Sequence, residues 1–129
     1  MTGERWELGG TTVVVVTAAD AATVLELTVQ PGAGAGPHLH TREDETVVVL
    51  DGALVVEDRE RHELGPGDAY VLPRGVRHSF TNEGGASARA LFFCAPGGLE
   101  RFFRDLATAE SDEAVAAAAD RAGIAFETL

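Results

Sequence analysis

His38 and His40 stand two positions apart, and in an extended strand alternate side chains leave on the same face, so both imidazoles converge on one point. A metal ion needs that convergence. Glu45 follows a short polar turn, Thr41-Arg42-Glu43-Asp44, after which the chain can re-enter a strand over Thr46 to Leu50 and deliver a carboxylate to the same place. His78, in Pro73-Arg74-Gly75-Val76-Arg77-His78, would close the set. Three neutral imidazoles and one carboxylate suit a single divalent transition ion: Fe, Ni, Mn, Co or Zn. The remaining histidine, His62, sits among Glu60, Arg61 and Glu63 and reads as a solvated surface group.

The glycines and prolines around these residues follow a pattern. The first stretch reads Gly32, five residues, His38-Leu39-His40, four residues, Glu45, six residues, Gly52. The second reads Gly67, five residues, Pro73-Arg74-Gly75, two residues, His78, three residues, Asn82. Both stretches resemble the paired motifs of the cupin superfamily, with every position filled. The resemblance implies a jelly-roll-like antiparallel β-barrel, a double-stranded β-helix, with His38, His40, Glu45 and His78 as its metal ligands. The Gly32-Ala33-Gly34-Ala35-Gly36 run invites a different reading, a phosphate-cradling loop. It fails, because Pro37 stands where the third glycine of a dinucleotide fingerprint belongs and no Lys-Ser or amphipathic helix follows. A flexible entry to the ligand strand is the simpler expectation.

Elements able to position these groups recur along the chain as segments rich in Val, Leu and Phe, divided by Gly, Pro, Asn and Asp. The spacing predicts an all-β fold. Strands are expected at Thr11 to Thr17, at Val24 to Gln30 with Leu25, Leu27 and Val29 on one face, and at Thr46 to Leu50. Asp51-Gly52 reads as a hairpin turn into Ala53 to Glu57. Gly65-Pro66-Gly67-Asp68 is a further turn before Ala69 to Leu72, and His78 to Thr81 and Ala88 to Ala95 are the last strands. If Glu45 points inward, so do Val47 and Val49, as apolar lining beside the ion. Thr46, Val48 and Leu50 then face out and need cover, from the N-terminal strand or a second subunit. Phe80 should share the inward face of His78, while Leu91-Phe92-Phe93-Cys94 is apolar throughout and leaves its parity open. Tyr70 reads as packed at a barrel mouth with its hydroxyl in water.

Beyond Pro96-Gly97-Gly98, Leu99, Phe102, Phe103 and Leu106 form an apolar stripe at helical spacing. Ser111 is a candidate N-cap for a second helix over Ala114 to Ala122, ended by Gly123. Residues 1–98 are therefore read as the barrel and 99–129 as a helical extension covering it, within one domain. This tail narrows the resemblance to single-barrel cupins like quercetin 2,3-dioxygenases.

A formal charge of -11, with 21 acidic residues against 10 scattered basic ones, disfavours nucleic acid and anionic membranes as partners. No apolar run is long enough for a membrane span, and Met1 to Arg5 opens no signal peptide, so a cytoplasmic location is expected. Cys94 is the single cysteine and reads as a buried small hydrophobe. Ligand number leaves up to two positions open on a six-coordinate ion. The leading expectation is a dioxygenase acting on a small aromatic, flavonoid or polyketide-like enol. The resemblance further implies that Glu45 both ligates and takes the substrate's hydroxyl proton. A metal-dependent isomerase, cyclase or lyase is the alternative, and a non-catalytic small-molecule-binding cupin a third. The resemblance and the outward Val48 and Leu50 together predict a homodimer.

Overall fold

The computed structural model describes residues 3–126. Its strands are β1 (Arg5–Leu8), β2 (Thr11–Ala18), β3 (Thr23–Val29), β4 (Gly34–His40), β5 (Asp44–Asp51), β6 (Leu54–Glu57), β7 (Arg61–Leu64), β8 (Ala69–Leu72), β9 (His78–Thr81), β10 (Ala88–Ala95) and β11 (Ile124–Phe126). Between β10 and β11 lie α1 (Glu100–Thr108) and α2 (Asp112–Ala122). One antiparallel sheet has the order β1-β2-β3-β10-β5-β8, the other β11-β4-β9-β6-β7. From β3 onward the chain crosses between sheets at almost every connection, and this winding makes the two sheets one barrel.

Alternation of side chains decides what the barrel holds. Leu25, Leu27 and Val29 on β3 and Val47 and Val49 on β5 are all buried between the sheets, as their parity predicts. On β10 the inward set is Ala88, Ala90, Phe92 and Cys94, while Phe93 stays 40% exposed. Phe80 is buried on β9 and its ring lies 5.2 Å from that of Phe92.

Three local expectations fail. Asp51-Gly52 is not a hairpin, since β5 and β6 belong to different sheets and do not pair. Gly52 is a corner: a Cβ there would come within 2.7 Å of Ser87 O and 2.9 Å of Ala88 Cα, so only glycine lets the chain turn so close to β10. The glycine run is not a loose entry either, because Gly34 is already in β4 and passes so near β9 that a Cβ would meet Phe80 O at 2.0 Å. Arg61 to Leu64, a charged stretch where no strand is expected, forms β7, because β6 provides a pairing edge that no local pattern reveals.

The C-terminal segment follows its sequence pattern more closely. Ser111 Oγ accepts the amide of Ala114, and Gly123 takes the left-handed conformation that ends α2. The apolar tail Ile124 to Phe126 is a strand, β11, paired with the ligand strand β4. Leu99 and Phe102 are buried and Phe103 and Leu106 half-buried, so the stripe of α1 faces the barrel. β1 pairs only with β2, at the edge of its sheet, so the N-terminal strand does not cover Val48 and Leu50. Among the described residues no helix is long and apolar enough to cross a membrane.

Candidate metal centre

β4 carries His38 and His40 inward, β9 places His78 directly across from His38, and β5 brings Glu45 over from the opposite sheet. All four are buried, and one donor atom from each lies within 4.8 Å of the others. The ring of His38 is 5.1 Å from that of His40 and 4.6 Å from that of His78. Glu45 Oε1 stands 3.0 Å from His40 Nε2 and 3.3 Å from His78 Nε2, yet it has no hydrogen-bond partner. A buried carboxylate oxygen without a partner is costly, and a cation at this point would satisfy it.

The far side of each ring is already engaged. His38 Nδ1 lies 2.7 Å from Gly36 O and His78 Nδ1 3.2 Å from Val76 O, both carbonyls of the chain just upstream. His40 Nδ1 lies 2.5 Å from Glu43 Oε1. With Nδ1 of each ring as a donor, the Nε2 lone pairs would face a bound ion once the extra proton of His40 is displaced. Glu45 Oε2 has the Cys94 thiol 3.8 Å away as a weak donor, which leaves Oε1 pointing at the imidazoles. Three nitrogens and one oxygen, each oriented from behind, fit a divalent transition ion and do not select which one.

Electrostatics follow from burial and neighbours. Burial most of all, with the nearby His78 and His40 adding to it, holds His38 down at about 4, so it is neutral and free to donate a lone pair at physiological pH. For His40 burial also opposes the charged form, but the hydrogen bond to Glu43 and the nearness of Glu45 outweigh it and carry the group up to about 9. Burial works against the charge on Glu45, yet the imidazoles of His40 and His78 bring it down to about 2. Without a cation, a proton on His40 supplies the positive charge that the two carboxylates require.

All four residues singled out from the sequence thus meet in one place. Glu43 did not stand out: it was one acid among several in a polar turn, and only the fold buries it, 4% exposed, behind His40. The signal available was its spacing, three residues after a ligand on a strand that reverses at once. Asn82, the last residue of the second motif, is no part of the centre. Its side-chain amide donates to Val29 O and Ala86 O and accepts from Gly84 N, tying the β9–β10 loop to β3. Cys94 is buried as expected, and burial first of all raises its thiol well above the usual range.

His62 and Tyr70 depart from their readings. The ring of His62 lies 4.1 Å from that of Tyr70, with Nε2 3.4 Å from Asp58 Oδ1, so it is packed on β7 and not free in solvent. The Tyr70 hydroxyl donates to Asp58 Oδ2 at 2.5 Å, and this bond more than any other neighbour holds Asp58 down at about 2. The phenol is committed to that carboxylate.

The centre opens onto a cavity of about 140 Å³. Leu8, Leu25, Leu27, Phe80 and Phe92 wall it from the barrel, and Leu99, Phe102, Phe103, Ile124 and Phe126 close it from the C-terminal segment. Val47 and Val49 do not line it; they point inward but are spent in the core. The extension therefore roofs the mouth, and the ring of Phe126 lies 5.5 Å from that of His38.

The chain is similar to known proteins over part of its length. Protein SchB of Streptomyces halstedii is 35% identical over 86 residues, which cover 66% of this chain and 62% of SchB. Polyketide synthase CurC of Streptomyces cyaneus is 34% identical over 68 residues, 52% of this chain and 44% of CurC. The chain thus spans less than two thirds of either relative. Among solved structures, KdgF from Halomonas sp. superposes with a TM-score of 0.70 over 75% of this chain and 91% of its own, at 24% identity, which speaks for the fold alone. The profile described as Cupin domain matches residues 25–94, more than half of the sequence, and the chain belongs to the cupin superfamily.

Proposed function

We propose that the protein is a metal-dependent enzyme acting on a small, largely apolar, oxygen-bearing ring, an aromatic, flavonoid or polyketide-like enol, and that its reaction is a dioxygenation of the quercetinase type. The observation that carries this is the pairing of a three-imidazole, one-carboxylate centre with a cavity whose remaining lining is almost wholly aliphatic and aromatic, with no arginine in it. Such walls favour a ring over a phosphorylated or polyhydroxylated substrate. The likeness to a protein named as a polyketide synthase agrees with that substrate class.

His38, His40, Glu45 and His78 would hold one divalent ion of Fe, Ni, Mn, Co or Zn, which supplies Lewis acidity and, where it is redox-active, electron transfer to oxygen. The aromatic roof excludes water and orients the ring of the substrate against His38. Glu45 is ionised at working pH, and in this reading it takes the substrate's hydroxyl proton. To do so it must turn out of the contacts with His40 and His78 that make it a weak base.

A second reading keeps the site and drops oxygen: an isomerase, cyclase or lyase in which Glu45 moves a proton. The name of CurC, a builder of polyketides and not a cleaver of them, favours it. Oxygen uptake by protein purified without chelator, tested on a flavonol and a β-diketone panel, separates the two. Turnover that stops without oxygen supports the dioxygenase, and an unchanged anaerobic rate supports the alternative. No turnover with any substrate, together with ligand binding indifferent to Glu45→Ala, would leave a small-molecule-binding cupin.

We infer as well that the chain works in the cytoplasm as a homodimer, with neither nucleic acid nor membrane as partner. The net charge supports the last two points. Val16, Leu50, Val71 and Phe93 support the dimer, being exposed large apolar groups on the outer face of the six-stranded sheet.

A further inference from the structure

A second cavity, of about 340 Å³, lies behind the metal centre, sharing Leu99 and Phe102 as a wall with the apolar one. Its chemistry is the opposite. Arg42 from the β4–β5 turn, Arg101 from α1 and Arg121 from α2 line it, three of the ten cations of a chain whose net charge is -11. Elsewhere five of seven arginines are engaged: Arg5, Arg61, Arg74, Arg89 and Arg104 each have a carboxylate within 4.0 Å, and only Arg59 and Arg77 have none among the described residues. Among the described residues Arg42 and Arg101 have none and their guanidinium groups donate no hydrogen bond, and Arg121 spends only its Nε on Asp105.

Two of the three side chains have a neighbour that restrains them. Arg42 lies against the left-handed Gly123, where a Cβ would come within 3.1 Å of both its Cγ and its Nε. Asp105 anchors Arg121 between α1 and α2. Of the two carboxylates in the cavity, Glu43 serves His40 and Asp105 serves Arg121, so neither forms an ion pair with Arg42 or Arg101. Three separate elements bring these cations to one cavity, and an oxyanion among them would accept charge-assisted hydrogen bonds. We propose that this cavity is a binding site for a small organic anion whose carboxylate or phosphate is held by Arg42, Arg101 and Arg121.

The test uses the full chain, labelled with nitrogen-15 and stripped of metal, titrated with inorganic phosphate and with succinate at constant ionic strength, chloride being replaced. Saturable shifts are expected at the amides of Gly97, Gly98 and Arg101 and at the arginine Nε–H groups. Arg101→Ala should weaken binding by about tenfold and Arg42→Ala by several-fold, whereas Arg59→Ala, which removes an unpaired arginine outside the cavity, should leave it unchanged. Both arginines are exposed, and a dispersed spectrum verifies that each variant is folded. Preference for one probe assigns the ligand as a phosphate or a carboxylate. Shifts that rise linearly or are matched by chloride would overturn the site. So would shifts confined to His38 and His78, or an Arg59→Ala effect as large as that of Arg101→Ala.

Discussion

Glu43 Oε1 stands 2.5 Å from His40 Nδ1, with both side chains buried, so the carboxylate grips the far nitrogen of a residue whose near nitrogen faces the metal centre. This contact fixes the ring's orientation and raises its donor strength. Glu43→Gln keeps the shape and a hydrogen bond but removes the charge. Metal affinity, measured by competition with a chromophoric chelator, should fall by about 10- to 100-fold with the circular dichroism unchanged. An unaltered affinity would reduce Glu43 to a packing role.

The same pair predicts how affinity depends on pH. In the metal-free protein His40 holds its proton up to about 9, and an incoming ion must displace it. The proton competes more strongly as pH falls, so the apparent dissociation constant should rise by about tenfold for each unit below that value and level off above it. Calorimetry in buffers of different ionisation enthalpy should record about one proton released per ion at neutral pH. A flat profile would mean that His40 is already neutral.

Asn82 predicts a loss of stability without loss of the site. Its three hydrogen bonds join the β9–β10 loop to β3, and Asn82→Ala would leave the buried carbonyl of Val29 and the part-buried one of Ala86 without that donor. A cost of about 2–3 kcal/mol is expected in urea unfolding. Metal stoichiometry should stay at one ion per folded chain.

The outer face of the six-stranded sheet predicts the assembly. Phe93 pairs in register with Val24 and Thr46, and Thr46 with Val71, so a row of three apolar side chains and one threonine crosses four strands. Light scattering should give a dimer for the native chain and a monomer for Phe93→Glu, which sets a charge in the middle of that row. A native chain that is monomeric at micromolar concentration would refute the homodimer.

Glu45→Ala tests the centre as a unit. Removing the one carboxylate ligand leaves three imidazoles to hold a divalent cation without a balancing charge, and ion content after purification should drop well below one per chain. Full retention of the ion would place Glu45 outside the coordination sphere.

Much of this was legible in the amino-acid order because it is local or periodic. His38 and His40 share a face through the two-residue repeat of a strand, and Leu25, Leu27 and Val29 reveal their buried side by the same rule. Ser111 and Gly123 mark the ends of α2 by side-chain and backbone chemistry that needs no distant partner. The motif spacings were sufficient to name Glu45 and His78 as companions of the histidine pair. Tertiary structure alone decided what depends on which strand lies beside which. It turned Asp51-Gly52 from a hairpin into a corner and made Arg61 to Leu64 a strand by offering it β6. It also buried Glu43 behind His40 and gave the cavity walls to Phe102, Phe103 and Phe126 in place of Val47 and Val49. Such pairings bring together residues far apart in the chain, and their energy comes from contacts that no window of neighbouring residues contains.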